Sequence, residues 1–248
     1  MLCLAAMMQV YMVLKVAIPT YVPFYADPYL ARLDALLFGR DAWTWTHALF
    51  GPTATRMLDV VYGPLTLAVT AGTTLWICYS RDRVFSRSAV LATTLCWFVL
   101  GNWAALLLSS AGPVYMEHFY GDPRFASLVA RLPEDLTVVL SQAYLLEGFG
   151  QPGFGKGISA APSMHNAAFI LLALFVHDRW GVGWQFALAV ILALTIWIAS
   201  VHLAWHYAVD GLLSAVLVPP IWYAAKRIER WRVGSVARFD REPGLAAA

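Results

Sequence analysis

Charged residues are scarce in this sequence. Asp, Glu, Lys and Arg together make up 13% of its 248 residues, about half the share of a typical soluble domain, whereas hydrophobic residues make up 60%. This balance excludes an ordinary water-soluble domain. The formal net charge of +2 is too small to indicate a nucleic-acid partner, so none is expected.

Cysteine is also rare, and the marks of a cleaved leader are missing. Cys3, Cys78 and Cys96 are an odd number without CxxC spacing, which argues against a disulfide framework or a zinc ribbon. No basic segment precedes the first apolar stretch, and no clear A-x-A-like cleavage site follows it. We therefore interpret this stretch as a retained membrane span rather than a signal peptide.

Long apolar runs are what the chain does contain. A helix needs about 20 apolar residues to cross a bilayer core of about 30 Å. Six such spans can be drawn: Leu4–Val22, Leu58–Tyr79, Ala89–Ser110, Met164–Val176, Trp184–His202 and Tyr207–Ala225. Because no repeat or linker divides the chain, the sequence predicts one all-α domain of residues 1–248, a polytopic membrane protein built on a six-transmembrane-helix bundle. Lys15 lies inside the first span, where it must snorkel or face a neighbouring helix.

Two long connections interrupt the spans. The first, Asp27–Arg56, carries leucines at helical spacing, which predicts an amphipathic helix at the membrane interface: Leu30, Leu33, Leu36 and Leu37. The second, Gly112–Ala161, ends in the glycine-rich segment Gly148–Gly157. We expect both connections on the same side of the membrane, where they form an outward-facing loop region.

Basic residues in the short loops and the tail predict the orientation. They lie on one side of a six-span layout: Arg81, Arg83, Arg87, Arg179, Lys226, Arg227, Arg230, Arg232, Arg238 and Arg241. We therefore expect both termini in the cytoplasm of a cell whose plasma or inner membrane holds the protein. The two long connections then face the periplasmic or lumenal side.

Two short motifs carry candidate chemistry. Pro162-Ser163-Met164-His165 opens the fourth span, where the free N–H groups of a helix N-terminus favour an anion; Ser163 can add a hydroxyl and Lys156 a positive charge. Pro-Ser alone is more often an ordinary helix cap. His206 and Asp210 open the sixth span one helical turn apart, so the carboxylate can hold one imidazole nitrogen and leave the other free to attack.

The predicted orientation brings these motifs together. His165 and His206 each begin a span that runs from outside to inside, so both are expected at the outer face. The orientation was deduced from Arg and Lys alone, which makes the coincidence independent support for one shared site.

In this order, Pro162-Ser163-Met164-His165 and His206-x3-Asp210 resemble motifs of the type-2 phosphatidic-acid phosphatase superfamily, Pro-Ser-x-His and a third motif that ends in His-x3-Asp. The resemblance covers about residues 100–215. It implies that His206 is a nucleophile that forms a phosphohistidine, that Asp210 orients it, and that His165 is the general acid and then the general base. It implies neither a metal nor a cofactor. It also implies a lipid phosphate or phospholipid substrate in the bilayer, with water, a ceramide-like lipid or inositol as the hydroxyl acceptor.

Two cations of the family pattern are missing. The first motif, Lys-x6-Arg-Pro, has Gly112 in place of its Arg, and the third motif begins Ala199-Ser200 instead of Ser-Arg. These departures resemble the branch that contains inositol phosphorylceramide synthases. Lys156, Arg124 or Arg131 are candidates to replace the lost charge. The expected substrate-binding residues are Ser163, Lys156, His202, Ser200, Gly112 and Tyr115.

The favoured function is a membrane lipid phosphatase or lipid-headgroup phosphotransferase. Inositol-phosphoryl-type transfer is preferred to a phosphatidic-acid or polyprenyl-diphosphate phosphatase. Two alternatives stay open. The side chains of His165, His202, His206 and Asp210 suit a zinc-dependent intramembrane hydrolase. The same histidines suit the proton relay of a lipid transporter or scramblase, although the sequence has no pseudo-symmetric halves. His202 is equally well explained as a helix-end histidine with a local partner.

Overall fold

The structure, a computed structural model, describes residues 2–151 and 156–239. Within these residues the chain is helical and contains no strand, which confirms the all-α prediction. Residues 152–155 of the predicted glycine-rich segment and Arg241 of the predicted basic tail lie outside the described residues.

The described residues form a succession of helices. In chain order they are α1 (Leu2–Tyr21), α2 (Asp27–Phe38), α3 (Trp43–Leu49), α4 (Pro52–Tyr79), α5 (Arg83–Leu107), α6 (Met116–Tyr120), α7 (Ala126–Val129), α8 (Thr137–Glu147), α9 (Met164–Trp180), α10 (Trp184–His202) and α11 (Ala208–Phe239). Single 3₁₀ turns, Pro113–Tyr115 and Pro123–Phe125, precede α6 and α7.

Each predicted span coincides with a helix. Four helices, α4, α5, α10 and α11, are long and apolar enough to cross a membrane. Helix α1 has 20 residues, and α9 has 17, a length of about 26 Å. The structure therefore supports four candidate membrane spans, and the six-span layout remains a prediction.

Small residues let the long helices pack closely. Ala89 and Ala92 on α5 are fully buried in the cluster that also holds Phe175 of α9 and Trp222 of α11. Phe175 and Trp222 meet edge to face, with ring centroids 4.9 Å apart. Near the other end of α11, a Cβ on Gly211 would lie 2.3 Å from Cδ1 of Trp197, so α11 can approach α10 only because this residue is glycine.

Helices α4 and α5 each contain a short π-helical segment. In α4 it is Val61–Leu65, and in α5 it is Val99–Ala104. Such segments re-aim side chains and are frequent at functional sites. The first contains Tyr62 and the second Gly101, and both residues line the same cavity.

Helix α2 is the predicted amphipathic helix, but its two faces are the reverse of those of a soluble surface helix. Asp27, Leu30 and Asp34 are buried, whereas Leu36 and Leu37 are exposed by 79% and 56%. Leu30 thus separates from the other leucines of the predicted apolar face and joins the core. An exposed leucine face suits the boundary between headgroups and acyl chains, and the interfacial position of α2 stays a prediction.

Asp27 joins α2 to the loop that follows α5. Its buried carboxylate accepts hydrogen bonds at 2.7–3.1 Å from two backbone N–H groups and three hydroxyls: Ala111, Gly112, Ser110, Tyr120 and Tyr207. Hydrogen bonds to a buried charge are stronger than those between neutral groups. This carboxylate therefore anchors the loop beside the chain segment that carries His206.

We expect Asp27→Asn to lower the midpoint of thermal unfolding in detergent by roughly 6–12 °C, since a loss of about 3 kcal/mol follows when several donors lose a buried charged acceptor. Asp135→Asn is the matched control, because Asp135 pairs with Arg56 at an exposed position, where the side chains are 65% and 55% accessible. A similar fall in both variants would contradict the anchoring role of Asp27.

Candidate functional site

A cavity of about 370 Å³ lies between α1, α4, α5 and the start of α9. Side chains with polar groups converge on it: Tyr11, Lys15, Tyr62, Tyr115, His165 and His206. The rest of its described wall is largely apolar, and that wall contains no Asp or Glu. The sequence therefore places two imidazoles and one amine around a space that has no negative charge in its described part.

The turn that follows the C-terminal end of α10 positions His206. The carbonyl of Ser200 accepts hydrogen bonds from the backbone N–H groups of Trp205 and His206, at 3.0 and 3.1 Å. Ala204 has a positive φ of 62° within this turn. Ser200, predicted to bind substrate, donates its hydroxyl to the carbonyl of Trp197 at 2.7 Å and is not part of the cavity wall. Its contact with the site is through the backbone.

His206 is paired with Asp210. Nδ1 of His206 lies 3.3 Å from Oδ2 of Asp210, which also accepts the N–H of Tyr207 at 3.1 Å. Asp210 is fully buried, and its Oδ1 has no hydrogen-bond partner among the described residues. The pair occupies Nδ1 and leaves Nε2 as the nitrogen that is available to a substrate.

The histidine is held in its neutral form. Burial, followed by the positive charge of Lys15, lowers the pKa of His206 to about 3, while the carbonyl of Ala160 acts in the opposite direction. A neutral imidazole has a free lone pair on one ring nitrogen, which a nucleophile requires.

His165 lies in the first turn of α9 and faces the same cavity. Its ring centroid is 6.4 Å from that of His206, with the planes at 63°. Nδ1 of His165 is hydrogen-bonded to the hydroxyl of Tyr62 at 3.1 Å. Sequence reasoning did not single out Tyr62, since its only signal would have been a tyrosine in an apolar span. The two histidines that the sequence predicts to share a face are thus neighbours.

Ser163 caps α9 instead of lining the cavity. Its Oγ accepts the side-chain amide of Asn166 at 2.9 Å, and its N–H donates to the carbonyl of Asp210 at 3.3 Å. The hydroxyl of Ser214 donates to the carbonyl of Ser163 at 2.8 Å. Ser163 therefore holds the start of α9, which carries His165, against the start of α11, which carries Asp210.

Of the two predicted substrate-binding residues Gly112 and Tyr115, only Tyr115 is part of the described cavity wall. Gly112 has φ of 100°, and a Cβ there would lie 2.6 Å from the carbonyl oxygen of Trp205. A side chain such as the family's Arg would therefore clash with the segment that leads to His206. Tyr115 does line the cavity, and its hydroxyl donates to the carbonyl of Gln142 at 2.9 Å.

His202 lies outside the described cavity wall. Its Nε2 is 2.9 Å from Oγ1 of Thr55 and its Nδ1 is 3.1 Å from Oγ1 of Thr46, while its ring stacks on His47 at 3.8 Å. These contacts bind α3 and the start of α4 to the end of α10. Among the described residues, no group of three His, Cys, Asp or Glu side chains is placed to hold a metal ion, so the ligand set of the zinc alternative is not assembled there.

The three cations considered as replacements for the missing motif charges are all outside the described cavity wall. Arg124 is bonded to the carboxylate of Asp41, with Nη2 2.5 Å from Oδ1, and to the carbonyl of Ala31. Lys156 packs its aliphatic stem against Gly148. Arg131 is exposed.

Lys15 is the cation that does line the cavity. Sequence reasoning treated it only as a difficulty for the first span. The signal that could have identified it is the rule that an ionisable residue within a span marks a functional site.

A second cavity, of about 320 Å³, lies between α1, α4, α5 and α9. Its wall is almost entirely apolar, and it shares five lining residues with the first cavity: Met8, Thr70, Trp97, Met164 and Ala168. The cavity that the histidines line is therefore continuous in its wall with a second, largely apolar cavity within the bundle.

The family model described as the PAP2 superfamily matches residues 28–224, which include both histidine motifs and exclude α1. No curated protein and no solved structure matches the chain.

Proposed function

Because this chain belongs to the PAP2 superfamily, we propose that it is a membrane-embedded lipid phosphatase or lipid-headgroup phosphotransferase that acts through a phosphohistidine on His206. Family membership and four apolar helices support an integral membrane enzyme of the phosphatase or phosphotransferase kind. The observation that carries the finer proposal is the meeting of His165 and His206 at one cavity, with buried Asp210 behind His206.

In the first step, Nε2 of His206 attacks phosphorus. An N–P bond forms while the bond from phosphorus to the leaving oxygen breaks, and protonated His165 gives its proton to that oxygen. Asp210 holds the proton on Nδ1 and stabilises the positive charge that develops on the ring. The negative charge of the bound phosphate favours the protonated form of His165.

In the second step, an acceptor hydroxyl attacks the phosphohistidine. His165, now neutral, takes the proton of that hydroxyl while the N–P bond breaks and His206 is regenerated. Water as the acceptor makes the enzyme a phosphatase, and a lipid or sugar hydroxyl makes it a transferase. Neither step needs a metal or a cofactor.

Tyr62 positions His165 in this scheme. Its hydroxyl binds Nδ1 of His165, so Nε2 is directed to the reaction. We expect Tyr62→Phe to lower kcat about fivefold and to change KM little, because one neutral hydrogen bond contributes about 1 kcal/mol. Steady-state kinetics with a lipid phosphate would measure this. Tyr144→Phe, an exposed position on α8, is the control, and an unchanged kcat in Tyr62→Phe would refute the positioning role.

The apolar cavity supports a lipid as the substrate. An acyl or polyprenyl chain that enters sideways between α1, α4, α5 and α9 would occupy it while the phosphate group meets the histidines. Basic residues lie at the opposite end of the bundle from the histidines, where Arg87 is 3.8 Å from Glu229 and Lys226 contacts Asp178. Asp178 lies about 20 Å along α9 from His165, at 1.5 Å per residue. With the basic end in the cytoplasm, the histidines belong to the outer, periplasmic or lumenal, half of the bilayer.

One experiment tests the proposal. Purified protein is incubated with labelled phosphatidic acid, a polyprenyl diphosphate and phosphatidylinositol, each with and without a ceramide or inositol acceptor and with a chelator. We expect release of inorganic phosphate or transfer to the acceptor, unaffected by the chelator and inhibited by vanadate. The inositol donor is favoured by the departures at Gly112 and Ser200. Lipid translocation without any hydrolysis or transfer would favour the scramblase alternative instead.

A further inference from the structure

Lys15 extends from α1 into the wall of the cavity that contains His165 and His206. We propose that the ammonium group of Lys15 binds the phosphate group of the substrate and supplies positive charge that the family's motifs lack in this chain. This inference rests on the proposed function and adds a residue to it. The family model begins at residue 28, so α1 and Lys15 lie outside the matched region.

Two glycines allow α1 to come close enough for this role. A Cβ on Gly157 would lie 2.8 Å from Cγ of Lys15 and 3.0 Å from its carbonyl carbon. One turn earlier, a Cβ on Gly101 would lie 2.6 Å from Cε2 of Tyr11. Tyr11 and Lys15 are four residues apart and share one face of α1, and both line the cavity. Close contact with the Tyr11 ring at Gly101 and with the α1 backbone at Gly157 therefore holds Lys15 in the wall that the histidines also line.

The charge of Lys15 has no compensation in the part of the chain that the structure describes. No ion pair with a carboxylate is found for it there, and its Nζ lies 5.9 Å from the centroid of the Tyr11 ring. The described cavity wall contains no carboxylate either. An ammonium group within an apolar helix is costly unless an anion meets it.

The positive charge of Lys15 also acts on the imidazole of His206. After burial, Lys15 is the next cause of the lowered pKa of His206. A cation at this place favours an incoming anion and keeps the nucleophile unprotonated. By contrast, Arg124 is already neutralised by Asp41. One residue of α1 thus combines the two electrostatic tasks of the site.

The test is the binding of orthovanadate, a mimic of the reacting phosphorus centre, measured by isothermal titration calorimetry on purified protein in detergent. Lys15→Met should weaken binding about 10- to 100-fold, the loss expected when one charge-assisted hydrogen bond is removed. Lys15→Arg keeps the charge and should stay within about threefold of the unaltered protein. Arg32→Met, which removes an exposed charge from α2, should change nothing.

Lys156→Met is the competing variant. Vanadate binding that is unchanged in Lys15→Met, or that weakens only in Lys156→Met, overturns the proposal. If Lys15→Met does not elute as a folded species, Lys15→Gln gives the same comparison with a polar side chain. Because binding is measured without turnover, a loss in Lys15→Met sustains the anion site even if no lipid phosphate is hydrolysed. Failure of the unaltered protein to bind vanadate overturns this proposal, and turnover assays judge the proposed function separately.

Discussion

His206→Ala should lower kcat/KM for a lipid phosphate by about 10,000-fold or more, which in practice abolishes turnover. Alanine removes the group that bonds to phosphorus in the proposed scheme. His165 lies 6.4 Å away between ring centroids, but its Nδ1 is bound to Tyr62 and its role is proton transfer. The loss should appear in kcat rather than in KM, because phosphate binding does not require the imidazole.

The distinguishing measurement is the covalent intermediate. Rapid acid-free quenching with a ³²P-labelled substrate should trap label on the unaltered protein and none on His206→Ala, since a phosphohistidine is a true intermediate in the scheme. His118→Ala, at an exposed position on α6, is the matched control and should retain both label and activity. Near-normal turnover in His206→Ala would refute the nucleophile assignment, whatever the labelling result.

His165→Ala should have the second largest effect, a fall of about 100- to 1,000-fold in kcat for lipid substrates, the usual contribution of a general acid. An alkoxide is a poor leaving group, so its departure depends on a proton from His165. With p-nitrophenyl phosphate the leaving group is p-nitrophenolate, a stable anion that departs without that proton. The leaving group matters only in the first step, which kcat/KM reports, since the second step is the same for both substrates. We therefore expect most of the loss in kcat/KM to disappear when the aryl phosphate is the substrate.

This dependence on the leaving group separates catalysis from structure. A variant that merely disturbed the fold would lose activity towards both substrates equally. Alanine is well tolerated in a first helical turn, and the cap of α9 is provided by Ser163, so His165→Ala should elute and unfold like the unaltered protein. An equal loss in kcat/KM with alkyl and aryl phosphates would contradict the general-acid role.

The local parts of the candidate site follow from the sequence. The spacing of His206 and Asp210 is one helical turn, so their contact needs no knowledge of the rest of the chain. The common end of His165 and His206 follows from helix count and basic loops, because antiparallel helices alternate direction. Their catalytic roles remain predictions.

Other parts of the prediction depend on contacts between distant segments. His202 lies four residues before His206, and its position in the sequence predicts a site residue equally well. Its ring nevertheless contacts Thr46, Thr55 and His47 from an earlier part of the chain. Its neighbours come from α3 and the start of α4, which local spacing does not reveal. The same holds for α2, in which Asp27 is buried because distant donors meet it, while Leu36 remains exposed.

The sequence by itself determined the helical class, the positions of the long apolar helices and the pairing of His206 with Asp210, since apolar run length and helical periodicity are local properties. Only the tertiary structure decided which side chains face the cavity. Lys15 lines it, and Lys156 and Arg124 do not. The physical reason is that Gly101 admits the ring of Tyr11 and Gly157 admits the backbone of α1, which brings α1 to the histidines through contacts more than 80 residues apart in sequence.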